Sequence, residues 1–274
     1  MDLTMRGIKN EARRRILEAR VRPVWATLLF WILAALLLLL ILKLTGYLDF
    51  LITVYRNFQT EINLRAGALS ELGQTELYVA MTLILEELLL QTPYPAVAPL
   101  GYVLAAAVAL MLAVLHTGHT YLCLQTARRE IPRYRDLFEG FRVFFRICGV
   151  LLLRAALVTA GLLLFFVPGL YLWYRYRFAV YVLFDSPELG PVACLREAAR
   201  RSAGYRWKLL GLDLSFLLWY IVSYLTMVFL SVPVLELWVH PFRQISRCVL
   251  YDRISGRVPE PDPEPEPPVS GGEE

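Results

Sequence analysis

Four ionisable residues recur near the C-terminal end of the chain, Glu236, His240, Arg243 and Arg247, at spacings of four, three and four. That rhythm places them on one face of an α-helix, with Gln244 beside them. Two more charges, Arg154 and Asp213, interrupt long apolar runs. Gathered at the edge of a low-dielectric region, these groups would form a polar cavity able to bind an anion such as a lipid phosphate. Interhelix pairing, with arginine side chains reaching out to headgroups, is the simpler account of the same residues. Arg175 and Arg177 stand among Tyr171, Trp173, Tyr174, Tyr176, Phe178 and Tyr181. Such a set is a headgroup cluster supported by cation–π contacts, or else the mark of a short interfacial or re-entrant helix.

Other chemistries are poorly supplied. His116 and His119 are three apart and His240 is far along the chain. No HExxH motif or carboxylate cluster adds the further ligands a metal needs, so no metal and no cofactor are expected. Ser215 and Ser223 lack a readable His/Asp companion. No glycine-rich phosphate loop is present. Glu236 and His240, one helical turn apart, are the single acid/base pair on offer.

The elements that must carry these residues follow from composition. Of 274 residues, 57% are hydrophobic, although Lys+Arg number 28 and Asp+Glu 24. A soluble domain is about 45–50% apolar, so the apolar residues must be segregated into blocks, and a helix crosses the hydrocarbon core with about 20 of them. Six blocks fit: 24–45, 99–124, 147–167, 170–184, 209–232 and 233–251. The fourth is short, and the sixth is the most polar. Pro168-Gly169 reads as a stop and turn after the third. The expected fold is an all-α polytopic membrane bundle of about six transmembrane helices with amphipathic interfacial helices.

Charge sets the topology. Residues 1–23 hold seven Lys/Arg, 125–146 six, 185–208 five and 243–257 four, whereas 46–98 hold two against six acids. Basic short loops stay in the cytoplasm, and six spans with both termini inside put all four basic segments there. Cys123, Cys148, Cys194 and Cys248 then fall on the reducing side and are expected as free thiols. Residues 5–21 read as a basic amphipathic helix with Ile8, Ala12, Ile16 and Ala19 on one stripe, suited to the inner lipid surface. The outer segment 49–92 reads as an amphipathic hairpin, with helices near 49–68 and 75–91; in the second, Leu77, Met81, Leu83, Ile84 and Leu88 share a face. Pro93, Pro95 and Pro99 separate it from the next span. Residues 258–274 hold six prolines and six acids and no base, and are expected to be a disordered tail. Without them the net charge rises from +4 to +10.

The second half carries a likeness. Pro168-Gly169, the string YRYRFAVYVLFDSP with Asp185 and Pro187, GYRWKLLGLDLSFLLW at 204–219, and HPF at 240–242 followed by Tyr251 resemble the bacterial integral membrane proteins grouped as domain-of-unknown-function family 975. IKNEARRRILEARVRPVW at 8–25 fits that family's basic helix before the first span. Pro-Phe stands where the family usually has Pro-Tyr, and RRSA precedes Gly204 where an upstream Ser and a Met-Lys pair are expected. The resemblance implies a polytopic bacterial plasma-membrane protein without an assigned activity, and it carries over no catalytic residue.

The expectation is therefore a non-enzymatic multi-pass plasma-membrane protein that binds anionic headgroups at its inner face, or an unidentified membrane partner. A small transporter component using the polar inter-helix cavity ranks second, and an intramembrane lipid-modifying enzyme third. The basic stretches lack a nucleic-acid fold signature, so no nucleic acid is expected.

Overall fold

The computed structural model describes residues 4–19, 22–94, 99–230 and 235–257. The acidic tail, Arg20, Pro95 and the first two residues of the expected sixth span lie outside them. Among the described residues the chain is helical, without strands. It divides into two units: one holds the described residues up to Leu28 with those from His116 onward, the other is Leu29–Leu115.

Among the described residues, four helices are long and apolar enough to cross a membrane: Pro23–Leu44, Pro99–Ala127, Phe144–Leu164 and Arg206–Thr226. Only 17% to 28% of the residues in their apolar windows are buried within the protein. Leu36, Leu163 and Phe166 are among the large side chains left uncovered. Such extensive apolar exposure is unstable in water and natural in hydrocarbon.

In the Leu29–Leu115 unit, α2 (Pro23–Leu44) passes through the left-handed Gly46 into α3 (Tyr47–Leu64). A short α4 (Ala66–Ser70) leads to α5 (Gln74–Gln91), which packs on α3. Val54 and Ile84 are the buried residues of the two long helices. Tyr94, beyond the end of α5, meets Tyr47 and Phe50 at the start of α3 at 6.2 and 5.5 Å, so the two helices form an antiparallel hairpin. Leu77, Met81, Ile84 and Leu88 do share the inward face of α5. Leu83 does not: it is exposed, one residue off the stripe.

The other unit begins with α1 (Met5–Glu18), capped by the Thr4 hydroxyl on the Gly7 amide at 3.3 Å. After α6 (Pro99–Ala127) come a 3-10 turn (Tyr134–Phe138), a single-turn α7 (Glu139–Arg142) and α8 (Phe144–Leu164). The expected stop at Pro168-Gly169 falls instead inside α9 (Phe166–Arg175), and the chain turns at the extended Phe165. Pro168 is tolerated because amides in a first helical turn have no intrahelical acceptor. Gly169 is the point of closest approach to α8: a Cβ there would lie 2.7 Å from the Leu162 amide nitrogen.

The expected fourth span is likewise not one helix. It splits at Tyr176–Phe178 into the end of α9 and α10 (Ala179–Asp185). The amphipathic α11 (Pro191–Arg201) follows. Gly204, at φ +80°, turns the chain into α12 (Arg206–Leu214). The expected fifth span is interrupted at Ser215-Phe216, between α12 and α13 (Leu217–Leu230). The last helix is α14 (Glu236–Ile254).

α14 is the most polar of the expected spans and also the best covered, with every residue from Gln244 to Asp252 buried. The pattern is the reverse of a soluble core: the apolar helices are left uncovered and the charge-bearing one is enclosed by protein. α1 packs along it. This revises the placement of the N-terminal stripe, because Ile8 and Ala12 are fully covered by protein rather than offered to lipid, while Arg6, Arg13 and Arg14 stay exposed.

Gly118 sits where α6 meets the backbone of the 3-10 turn, and a Cβ there would overlap the Leu137 carbonyl. Gly118→Ala is expected to lower unfolding stability in detergent by about 1–3 kcal/mol. Gly190→Ala, which opens onto free space, is expected to change it by less than about 0.5 kcal/mol. Thermal melts of the two variants side by side check this.

Candidate functional site

The ladder on α14 is real as a helical face, but its four residues serve different neighbours. Glu236 accepts a hydrogen bond from the Ser223 hydroxyl of α13 at 3.1 Å. The His240 ring lies 5.1 Å from that of His119 and 6.4 Å from that of His116. His119 in turn meets the Thr27 hydroxyl at 3.0 Å. Arg243 lies over the Tyr220 ring at 4.8 Å. Arg247 grips one Asp213 oxygen through two nitrogens, at 2.6 and 2.9 Å. Gln244 anchors this region, donating to the Thr120 hydroxyl at 3.0 Å and the Tyr181 hydroxyl at 3.2 Å.

Asp213 is the meeting point. Besides Arg247 it takes the Tyr174 hydroxyl at 3.2 Å and faces Arg177 at 3.5 Å. Arg154 reaches the same neighbourhood from α8, lying over the Trp173 ring at 5.0 Å, and Arg177 lies over that ring at 5.6 Å. Arg243 stands one helical turn before Arg247 on α14. The structure thus gathers Arg154, Arg177, Asp213, Arg243 and Arg247 from α8, the break between α9 and α10, α12 and α14. Glu236 stays with Ser223. Arg175 points elsewhere, over Tyr176 at 5.7 Å, and its carbonyl accepts from Ser202 at 2.9 Å. The expected Arg175/Arg177 pair is therefore divided: Arg177 joins the Asp213 group and Arg175 does not.

Among the described residues, no three His, Cys, Asp or Glu side chains are grouped to hold a metal ion. The four cysteines are free and buried.

A second network, not anticipated as a site, lies at the helix ends. The Asp185 side chain has no solvent exposure. It accepts from Arg128 at 2.9 Å, Arg201 at 3.2 Å, Arg257 at 2.5 Å and the Tyr251 hydroxyl. Arg128 also chelates Asp252, at 2.7 and 3.1 Å. Arg201 extends the network to the Tyr251 hydroxyl at 2.6 Å and to Glu197 at 2.7 Å. Burial pushes the Arg128 guanidinium down, but its hydrogen bonds and charge contacts with Asp252 and Asp185 outweigh this and hold it above its ordinary value. Hydrogen bonds from Arg200 and Arg201 lower Glu197 to about 2. The sequence did carry one signal of this network: Asp185 and Tyr251 both stand in the strings shared with the family.

Removing Arg128 would leave two buried carboxylates without their shared partner. Arg128→Met is expected to cost about 3–5 kcal/mol of unfolding stability in detergent. Arg128→Lys is expected to recover only part of that, because an ammonium cannot fork across both acids. Glu197 supplies a pH test. Its folded pKa lies below the ordinary value of 4.5, so its contribution is complete above that pH and fades as pH falls toward about 2. Melting curves across that window should show a loss of stability that is smaller in Glu197→Gln.

Comparison with known proteins agrees with this picture of the second half. Residues 150–258 match the family model described as "Protein of unknown function (DUF975)". No curated protein and no solved structure matches the chain. The matched stretch includes Arg154, Arg177, Asp185, Asp213, Arg247 and Tyr251, so both networks draw on it, while Arg128 lies before it. Over residues 150–258, two fifths of its length, the chain is similar to the DUF975 family of proteins of unknown function.

Proposed function

We propose that the protein is a non-enzymatic, multi-pass plasma-membrane protein with six crossings and both termini in the cytoplasm, and that its inner face binds anionic lipid headgroups. The observation that carries this reading is the Asp185 network. It joins Arg128 just after α6, Asp185 at the end of α10, Arg201 at the end of α11 and Asp252 in the last turn of α14. Helix ends tied by direct ion pairs lie at one level. α8 leaves that level and α9–α10 return to it; α13 leaves and α14 returns. α1 packs on α14, which sets the N-terminal helix beside this end as well. The flanking segments carry exposed Arg6, Arg13, Arg14, Arg133, Arg135, Arg142, Arg146, Arg196 and Arg200. Each such charge near an anionic leaflet contributes about 1 kcal/mol.

A second reading, a small transporter component, is supported by the break at Ser215-Phe216 inside an apolar helix, where the Lys9 ammonium donates to the Ser215 carbonyl at 3.0 Å. It would require solute flux in proteoliposomes that Lys9→Ala alters.

Two measurements test the principal reading. In a cysteine-free background, Ser70→Cys is expected to react with an impermeant thiol reagent on intact cells, and Arg135→Cys and Arg196→Cys only after permeabilisation; labelling of all three from one side overturns the topology. Native mass spectrometry of gently extracted protein is expected to show retained phosphatidylglycerol, reduced several-fold in the triple variant Arg13→Glu, Arg14→Glu, Arg133→Glu. Unchanged retention in that variant overturns headgroup binding by the inner face.

A further inference from the structure

The two networks differ in their charge balance. Around Asp185 the guanidiniums and carboxylates are nearly matched. Around Asp213 four guanidiniums meet one carboxylate, and that carboxylate is taken by Arg247 and Arg177. Arg154 and Arg243 pair with no acid among the described residues. Each lies over an aromatic ring, Trp173 and Tyr220 respectively. The Arg243 Nε is buried without a hydrogen-bond partner.

Unpaired guanidiniums at membrane depth are unfavourable unless something neutralises them. Two explanations compete. In the first, the side chains simply trail to the surface. Arg154 argues against this, because it stands ten residues into α8 from Phe144, about 15 Å along the helix at 1.5 Å per residue, and lies over Trp173. In the second, an anion completes the group. A guanidinium that offers its face to a ring keeps its in-plane N–H donors free for oxyanions. Donors supplied by α8, the α9–α10 break and α14 suit an anion with several oxygens spread in three dimensions. A carboxylate, with two oxygens in a plane, is satisfied by a single fork.

We infer that Arg154, Arg177 and Arg243 form a binding site for a phosphoryl group, with Asp213 and Arg247 as the fixed ion pair that positions Arg177. This rests on the membrane reading above, but it is a separate site from the exposed arginines of the inner face. The phosphoryl group belongs either to a lipid headgroup or to a soluble phosphate, and the two sources are separable.

The test uses the full chain in a neutral detergent, with the double variant Arg154→Gln, Arg243→Gln beside wild type. In one arm, phosphatidylglycerol is titrated and retention read by native mass spectrometry. In the other, inorganic phosphate is titrated against chloride at equal ionic strength and the shift in melting temperature is read. The expected result is binding by wild type in at least one arm, weakened about tenfold or more in the double variant, a loss of about 1.4 kcal/mol. Loss in the lipid arm assigns a headgroup, and loss in the phosphate arm assigns a soluble phosphate. Arg154→Lys, Arg243→Lys keeps both charges and is expected to retain part of the binding; it takes the place of the glutamine variant if that one does not fold. Wild type that binds in neither arm, or a double variant that binds as well as wild type, overturns the site. The inner-face triple variant separates the two readings: it should lower overall lipid retention and leave the phosphate-induced shift unchanged.

Discussion

A carboxylate with no exposure, Asp185, is the constraint on which the DUF975-matched half depends. It gathers cations from three places in the sequence, Arg128 after α6, Arg201 at the end of α11 and Arg257 beyond α14, and Arg128 also ties in Asp252. Aromatic packing supports the same point, with Tyr251 5.0 Å from Phe178 and 5.1 Å from Tyr181. Hydrocarbon supplies little drive for one apolar helix to associate with another, so directional polar contacts and close packing must choose the partners. Asp185 provides the first of these. Gly118 and Gly169, where backbones come closer than a Cβ allows, provide the second.

α14 follows from the same constraint. Its charges would be costly against lipid, and the residues from Gln244 to Asp252 are covered by protein. That arrangement also explains the coexistence of two polar clusters of opposite character in one unit. The helix-end network is acid-rich enough to neutralise its arginines and works as a fastening. The Asp213 group retains a surplus of positive charge and is suited to meeting something else.

The apolar helices were legible in the sequence because hydrocarbon length and residue count are directly related, and Pro23–Leu44, Pro99–Ala127 and Phe144–Leu164 fall within about three residues of the expected bounds. The breaks were not. Phe165 and Ser215-Phe216 carry no Pro or Gly to mark a break, and the arginines beside Tyr176–Phe178 read equally well as part of an interfacial helix. Of the candidate site, the pairing of Arg247 with Asp213 followed from helical spacing and depth. The division of Arg175 from Arg177 did not, because it depends on where α9 ends. The Asp185 network was hidden for a different reason: its partners lie 57, 72 and, through Asp252, 124 residues apart in sequence, and basic loops are already accounted for by topology.

The bond between Lys9 and the Ser215 carbonyl has a consequence in time. Its partners are 206 residues apart. At about 5–20 residues per second, a ribosome finishing α12 does so on the order of 10–40 s after making α1. During that interval α1 has no α14 to cover Ile8 and Ala12. Docking on α14 is what finally covers that stripe. The N-terminus is the first part of the chain made and among the last to reach its final place.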